Sequence, residues 1–202
     1  YSVMSHVDLN LNVFYPEGGI AGVVDAIADL AREQGATIET GVEVESVAGR
    51  AGDFRLGTDA GDRRADVVVS NANPAYAERE LLDAPARTRD PDYWESRTYA
   101  PSAFMLYLGV EGDVDPLRHH SLVLPTDWDP HFESIFDEPA WPEDPAYYLS
   151  VASKTDGTVA PDGHHAVVIL VPIAPGLDDG AERRAEYRDL VLADLAERTG
   201  VD

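Results

Sequence analysis

From Gly19 onward, Ile20, Val23, Val24, Ile27, Leu30 and Ala31 recur at intervals of three and four, with Asp25, Asp29, Arg32 and Glu33 between them. This spacing lays one apolar stripe along an α-helix, and Gly35 is a suitable stop. Upstream, Tyr1 to Tyr15 alternates apolar with polar residues and ends in Val13-Phe14-Tyr15. It predicts a strand or extended segment, followed by a Pro16-Glu17-Gly18-Gly19 turn. Downstream, Thr37 to Thr40 and then Val42, Val44 and Val47 alternate at period two and predict one or two short strands. Phe54 to Thr58 and Ala65 to Ser70 predict further strands, joined by Asp/Gly turns. The run Asp66-Val67-Val68-Val69-Ser70 has the continuous apolar character of a strand covered on both faces. Asn71-Ala72-Asn73-Pro74 breaks it, and Ala75 to Leu82 predicts a short helix.

Asp83 to Pro101 is rich in Pro, Asp and Arg and is the natural boundary. Beyond it Ala103–Val110, Leu122–Leu124, Tyr147–Ala152 and Ala166–Val171 are strand-like runs separated by Pro- and Asp-rich loops. Ala181 to Arg198 predicts an amphipathic helix with Tyr187, Leu190, Val191 and Leu195 on one face, Asp179 as N-cap and Gly200 at its end. The expected fold class is mixed α/β: strand, helix and strands first, then a mostly antiparallel sheet with helices.

Composition narrows the function classes. The chain has 202 residues, 44% of them hydrophobic, enough for a packed core. No run approaches the roughly 20 apolar residues of a membrane span, and Tyr1 to Asn12 has no signal-peptide features. Tyr1 is not an initiator Met, which points to a chain cut from a longer one. Cysteine is absent, so disulfides, thiol nucleophiles and Cys-ligated metals are excluded and a reducing, cytoplasmic compartment fits. The net charge is −23, from 38 acidic against 15 basic residues, and Lys154 is the only lysine. Such a field repels nucleic acid. Its even scatter reads as a hydrated surface adapted to high salt, where screening shortens the range of self-repulsion; a merely acidic protein is the alternative.

Candidate chemistry is sparse. Gly19 and Gly22 match the second and third glycines of a dinucleotide cradle between strand and helix, but Glu17 stands at the first position. A plain turn into a helix explains the same residues. Histidines occur as His119-His120 and His164-His165, with His6 and His131 alone. Neighbours in a strand point to opposite faces, so neither pair is a ready chelate. No G-x-S-x-G nucleophile elbow exists, and carboxylate pairs are too numerous to single one out. The residues by themselves name no activity.

Three stretches together carry a resemblance. They are Val13-Phe14-Tyr15-Pro16-Glu17-Gly18-Gly19-Ile20 with its helix and the Gly35 to Val47 run; Ala65 to Ala75, with its Val-Val-Ser-Asn-Ala-Asn-Pro-Ala core; and Ser102 to Val110 followed by His119-His120-Ser121-Leu122. From Tyr1 to about Asp194 the chain resembles phytoene and other carotenoid desaturases, within the flavin amine oxidase superfamily. The resemblance implies FAD in a longer parent and places this chain in its middle. Residues 1–16 would end a substrate-domain piece, 17–80 return through the flavin domain in a βαβ-type unit, and 81–202 belong to the substrate domain. It implies cofactor contacts at Val44 and at Asn71, Ala72 and Asn73, and a domain-border turn at Tyr15, Pro16, Gly18 and Gly19 beside the substrate. It also implies an apolar wall for a polyene at Phe104, Leu106 and Leu108, for which a plain core is the competing reading. FAD is not expected to be retained by this chain alone. The expected partner is a carotenoid hydrocarbon, with peripheral membrane contact compatible with the parent, no nucleic acid, and a salt-adapted haloarchaeal source. A carotenoid isomerase, saturase or ketolase-like oxidase, another flavin amine oxidase, and a non-catalytic lipid- or partner-binding module stay open.

Overall fold

The computed structural model describes residues 6–11 and 14–201. The expected helix is present as α1 (Gly19–Glu33). Gly35 closes it, its N–H donating to the Arg32 carbonyl while the Ala36 N–H reaches Ala31. The apolar stripe of α1 is exposed, with Ile20, Val24 and Ile27 each about 60% accessible or more. The chain divides into two compact units, Ala31–Thr98 and Tyr1–Leu30 with Tyr99–Asp202.

The smaller unit is an antiparallel meander of β1 (Val44–Arg50), β2 (Asp53–Thr58) and β3 (Arg63–Ala65). Val47, buried like Ala75, bridges in parallel to Leu82 after a short α-helical turn (Pro74–Tyr76) that runs on as a π-helical turn (Ala77–Leu81). Asn73 caps that helix, accepting from the Ala75 and Tyr76 N–H groups.

The larger unit carries a four-stranded antiparallel sheet of β4 (Ser102–Glu111), β5 (His120–Val123), β6 (Tyr147–Ser150) and β7 (His164–Ile173), in the order β4-β7-β6-β5. Alternation along the strands divides it into two faces. Leu106 pairs with Ile169, Ile169 with Leu149, and Leu149 with Ser121; Phe104 pairs with Val171 and Leu108 with Val167. This face packs on helix α2 (Ala181–Thr199) through Tyr187, Val191 and Leu195 and forms the main core. Trp141 closes one end, its ring 4.6 Å from Tyr187 and 5.7 Å from Phe104.

The mixed α/β class with antiparallel sheets and helices is as expected; several details differ. The strand expected over Tyr1–Tyr15 falls partly outside the described residues, Val13 included, and Val7–Leu11 is a π-helical turn. Thr37–Thr40 and Val67–Ser70 join no ladder among the described residues. Val67 and Val69 are 71% and 90% exposed instead of covered on both faces. A continuous apolar run becomes a buried strand only where strands flank it, and among the described residues β3 pairs only with β2. Asp179 is not the cap of α2: Gly180 holds that position and Asp179 pairs with Arg184 at 2.6 Å. Leu190, expected on the buried stripe, is 36% exposed.

Candidate functional site

The second face of the larger sheet is open. Register carries Met105, Leu170, Tyr148 and Leu122 in one row across all four strands, and Tyr107, Val168, Ser150 and His120 in the next. Tyr107 is 75% and Leu122 68% exposed. Beside the first row, Trp128, Phe132 and Phe136 stand at four-residue intervals on consecutive helical turns, Trp128 stacked on Phe132 at 5.4 Å. Leu122, Trp128, Phe132, Phe136, Tyr148 and Leu170 line a groove of about 380 Å³ whose walls are almost wholly apolar. His131 reaches the same groove from below. It is buried, with Nδ1 unpartnered, and burial lowers its pKa while Asp144 opposes that shift.

At the β5 edge the surface changes character. The Tyr148 hydroxyl bonds to His120 Nδ1 at 2.6 Å, and the His120 ring lies 4.3 Å from that of His119. The two rings therefore do not diverge as adjacent strand residues would. His119 precedes β5, so strand alternation does not act on it. Tyr15, Glu17, His119, His120, Thr155 and Asp156 line a polar pocket of about 670 Å³.

Asp156, 8% exposed, organises this pocket. Its Oδ1 accepts from the Thr158 hydroxyl at 2.6 Å and the Thr158 N–H at 2.9 Å, and its Oδ2 accepts from the Gly18 N–H at 3.2 Å. These donors, Thr158 foremost, hold its pKa below the usual carboxylate range. Burial and the Asp156 charge push the Tyr15 phenol up. Tyr15 in turn stands edge-on against His119 at 4.7 Å. The Thr155 hydroxyl donates to the Ala152 carbonyl and is 2.5 Å from His119 Nδ1. His119 Nε2, on the other side of the ring, is buried and unpartnered. Burial, then the neighbouring His120, lowers the His119 pKa. Among the described residues no group of three His, Asp or Glu is placed to hold a metal.

A flavin pyrophosphate needs free backbone N–H groups at a helix N-terminus. At α1 the Gly18 N–H is taken by Asp156 and the Gly19 N–H by the Pro16 carbonyl at 3.0 Å. Both glycines have positive φ, 80° and 77°, and a Cβ on Gly19 would lie 3.2 Å from the Tyr15 hydroxyl. They serve a tight turn, and the anion at this helix end is the protein's own carboxylate. Both N–H groups are thus engaged within the protein, as in a plain turn into a helix.

The remaining expected site residues fall as follows. Val44 opens β1, opposite Thr58, while Asn71 and Ala72 are exposed ahead of the Asn73 cap. Tyr15, Pro16, Gly18 and Gly19 form the turn at the polar pocket. Phe104, Leu106 and Leu108 face the helix-covered core, and their neighbours Met105 and Tyr107 face the open side. Sequence reasoning missed Asp156 and the aromatic row. Asp156-Gly157-Thr158 has an Asx-turn composition, and the spacing of Trp128, Phe132 and Phe136 is helical, so both left a faint signal.

Residues 7–201 match the family model described as flavin containing amine oxidoreductase. The chain is 62% identical over 203 residues to the carotenoid 3,4-desaturase of Haloarcula japonica, covering all of this chain and 41% of that protein. It is 34% identical over 197 residues to a zeta-carotene-forming phytoene desaturase of Myxococcus xanthus, covering 93% of this chain and 37% of the relative. The chain thus spans about two fifths of the length of these relatives. The crystal structure of an oxidoreductase from Methanosarcina mazei superposes with a TM-score of 0.63 at 21% identity, over 91% of this chain and 40% of that one, a likeness of fold.

Proposed function

The chain belongs to the family of flavin-containing amine oxidoreductases, and from that membership we propose that it is the middle segment of an FAD-dependent carotenoid desaturase, which inserts conjugated double bonds into a polyene. The observation that carries the proposal is the open sheet face: a row of Met105, Leu170, Tyr148 and Leu122 beside the Trp128–Phe132–Phe136 ridge, nearly free of polar atoms. A hydrocarbon offers nothing to a hydrogen-bonding site, and contact area with an apolar wall is what can bind it. The identity to the Haloarcula relative supports a polyene over other apolar ligands.

When bound, the flavin supplies the two-electron oxidation. The chain's own part is to hold the polyene against Met105, Tyr107, Leu122 and Leu170 and to exclude water. This moves the wall expected at Phe104, Leu106 and Leu108 one residue along β4. Val44 and Asn71 to Asn73 belong to the proposal as contacts on one side of the cofactor, whose pyrophosphate must be held by residues outside this segment. Collection of a water-insoluble substrate favours peripheral membrane contact from the cytoplasm; among the described residues no helix is long and apolar enough to cross a membrane.

The test is to supply the full-length protein carrying this segment with FAD and acyclic carotenoids in molar KCl and to follow product absorbance and mass. Each desaturation adds a double bond to the chromophore, moves its bands to longer wavelength and removes two hydrogens. Oxidation of amines with no change in any carotenoid would instead place the protein with the amine-oxidising members.

A further inference from the structure

We infer that Asp156 is a positioning residue: its carboxylate clamps the Tyr15–Gly19 turn onto the loop after β6 and so holds Tyr15 against His119 at the wall of the polar pocket. Two of its three donors, the Thr158 N–H and hydroxyl, come from its own loop; the third, the Gly18 N–H, comes from a turn 138 residues away from it in sequence, whose Tyr15 phenol is raised in pKa by burial and then by the carboxylate's charge. As an ionised carboxylate Asp156 accepts from all three. It also places negative charge at the N-terminus of a 15-residue helix, where the unsatisfied N–H groups favour an anion. The clamp reaches the pocket through one further contact, because Tyr15 covers His119, whose Nε2 is buried without a partner and whose Nδ1 is tied to Thr155.

The pocket adjoins the open apolar face through the Tyr148–His120 bond, since Tyr148 lines the groove and His120 lines the pocket. The consequence for turnover rests on the reading that this face takes the polyene; the clamp itself does not. Asp156→Asn is the informative change. Its oxygen can still accept from Thr158, but its NH₂ group meets the Gly18 N–H donor to donor, so the turn is released while the loop keeps its own bonds. Water then reaches His119, and the burial that lowers its pKa is lost.

The experiment is histidine-selective NMR titration of the full-length protein, with His119 assigned by its disappearance in His119→Asn. In Asp156→Asn the His119 pKa is expected to rise toward the ordinary imidazole value. Tyr15→Ala, which leaves the Thr158 and Gly18 bonds in place, is expected to reproduce that rise even if Asp156→Asn folds poorly. Tyr15→Phe, which keeps the ring, is expected to give a smaller one. With carotenoid as substrate, Asp156→Asn is expected to raise KM about fivefold to tenfold with kcat within about twofold, the scale of one net hydrogen bond. A His119 titration unmoved in a folded Asp156→Asn, or unmoved in Tyr15→Ala, overturns the clamp, whatever the turnover. Carotenoid turnover absent from the parent protein, with the His119 shifts as expected, overturns the functional reading and leaves the clamp standing.

Discussion

Replacing Leu106 by Asp and, separately, its neighbour Tyr107 by Asp tests the division of the sheet into a core face and an open face. Leu106, itself partly buried, sits opposite Ile169, which is fully buried beside fully buried Leu149 in the apolar core. An unpaired buried charge costs on the order of 3–5 kcal/mol after relaxation, a large share of the roughly 5–15 kcal/mol that holds a domain folded. Tyr107 is 75% exposed, so the same change there shifts stability by no more than about 0.5–1 kcal/mol. Ile169→Ala supplies a core control at roughly 3–4 kcal/mol. Urea unfolding of the full-length protein at fixed molar KCl, followed by far-UV circular dichroism, reads all three. Leu106→Asp is expected to be unfolded or nearly so, Ile169→Ala to lose a substantial part of its unfolding midpoint, and Tyr107→Asp to match the parent while its kcat/KM on a carotenoid falls. A Leu106→Asp protein as stable as the parent, or a Tyr107→Asp protein that unfolds with it, would refute the face assignment.

With a net charge of −23, the chain is expected to melt at higher temperature in molar KCl than in dilute buffer, and a flat or falling Tm on adding salt counts against salt adaptation. Burial lowers the pKa of His131, so between its folded value and the ordinary imidazole value the unfolded chain binds more protons; stability falls as pH drops through that window. His131→Gln is expected to flatten the pH dependence of the urea midpoint relative to the parent in high salt, and identical slopes would remove His131 as the cause. The 202-residue chain alone is expected to be colourless and to give no saturable quenching of FAD fluorescence at micromolar concentration, because Asp156 and Pro16 already hold the Gly18 and Gly19 N–H groups. Stoichiometric flavin binding would mean that this turn opens to accept a pyrophosphate.

Periodicity alone determined the elements whose partners lie close by or whose pattern is long. Helix α1 with its Gly35 stop, the strands at Phe54–Thr58, Ala103–Val110 and Ala166–Val171, and helix α2 ending at Gly200 were all legible, because local spacing and glycine's access to positive φ act within a few residues. Motif resemblance likewise pointed to the flavin oxidoreductase family that residues 7–201 match. The pattern could not say which face of β4 meets a helix, because Phe104-Met105-Leu106-Tyr107-Leu108 is apolar on both sides. Only the register with β7 and the packing of α2 assigned Phe104, Leu106 and Leu108 to the core and Met105 and Tyr107 to the open side. Nor could it tell that the Gly18 N–H meets a carboxylate from elsewhere in the chain. That depended on Asp156, which reaches Gly18 across 138 residues of sequence, and a hydrogen bond between groups so far apart leaves no periodic trace: it exists only once the sheet and its loops have brought donor and acceptor together.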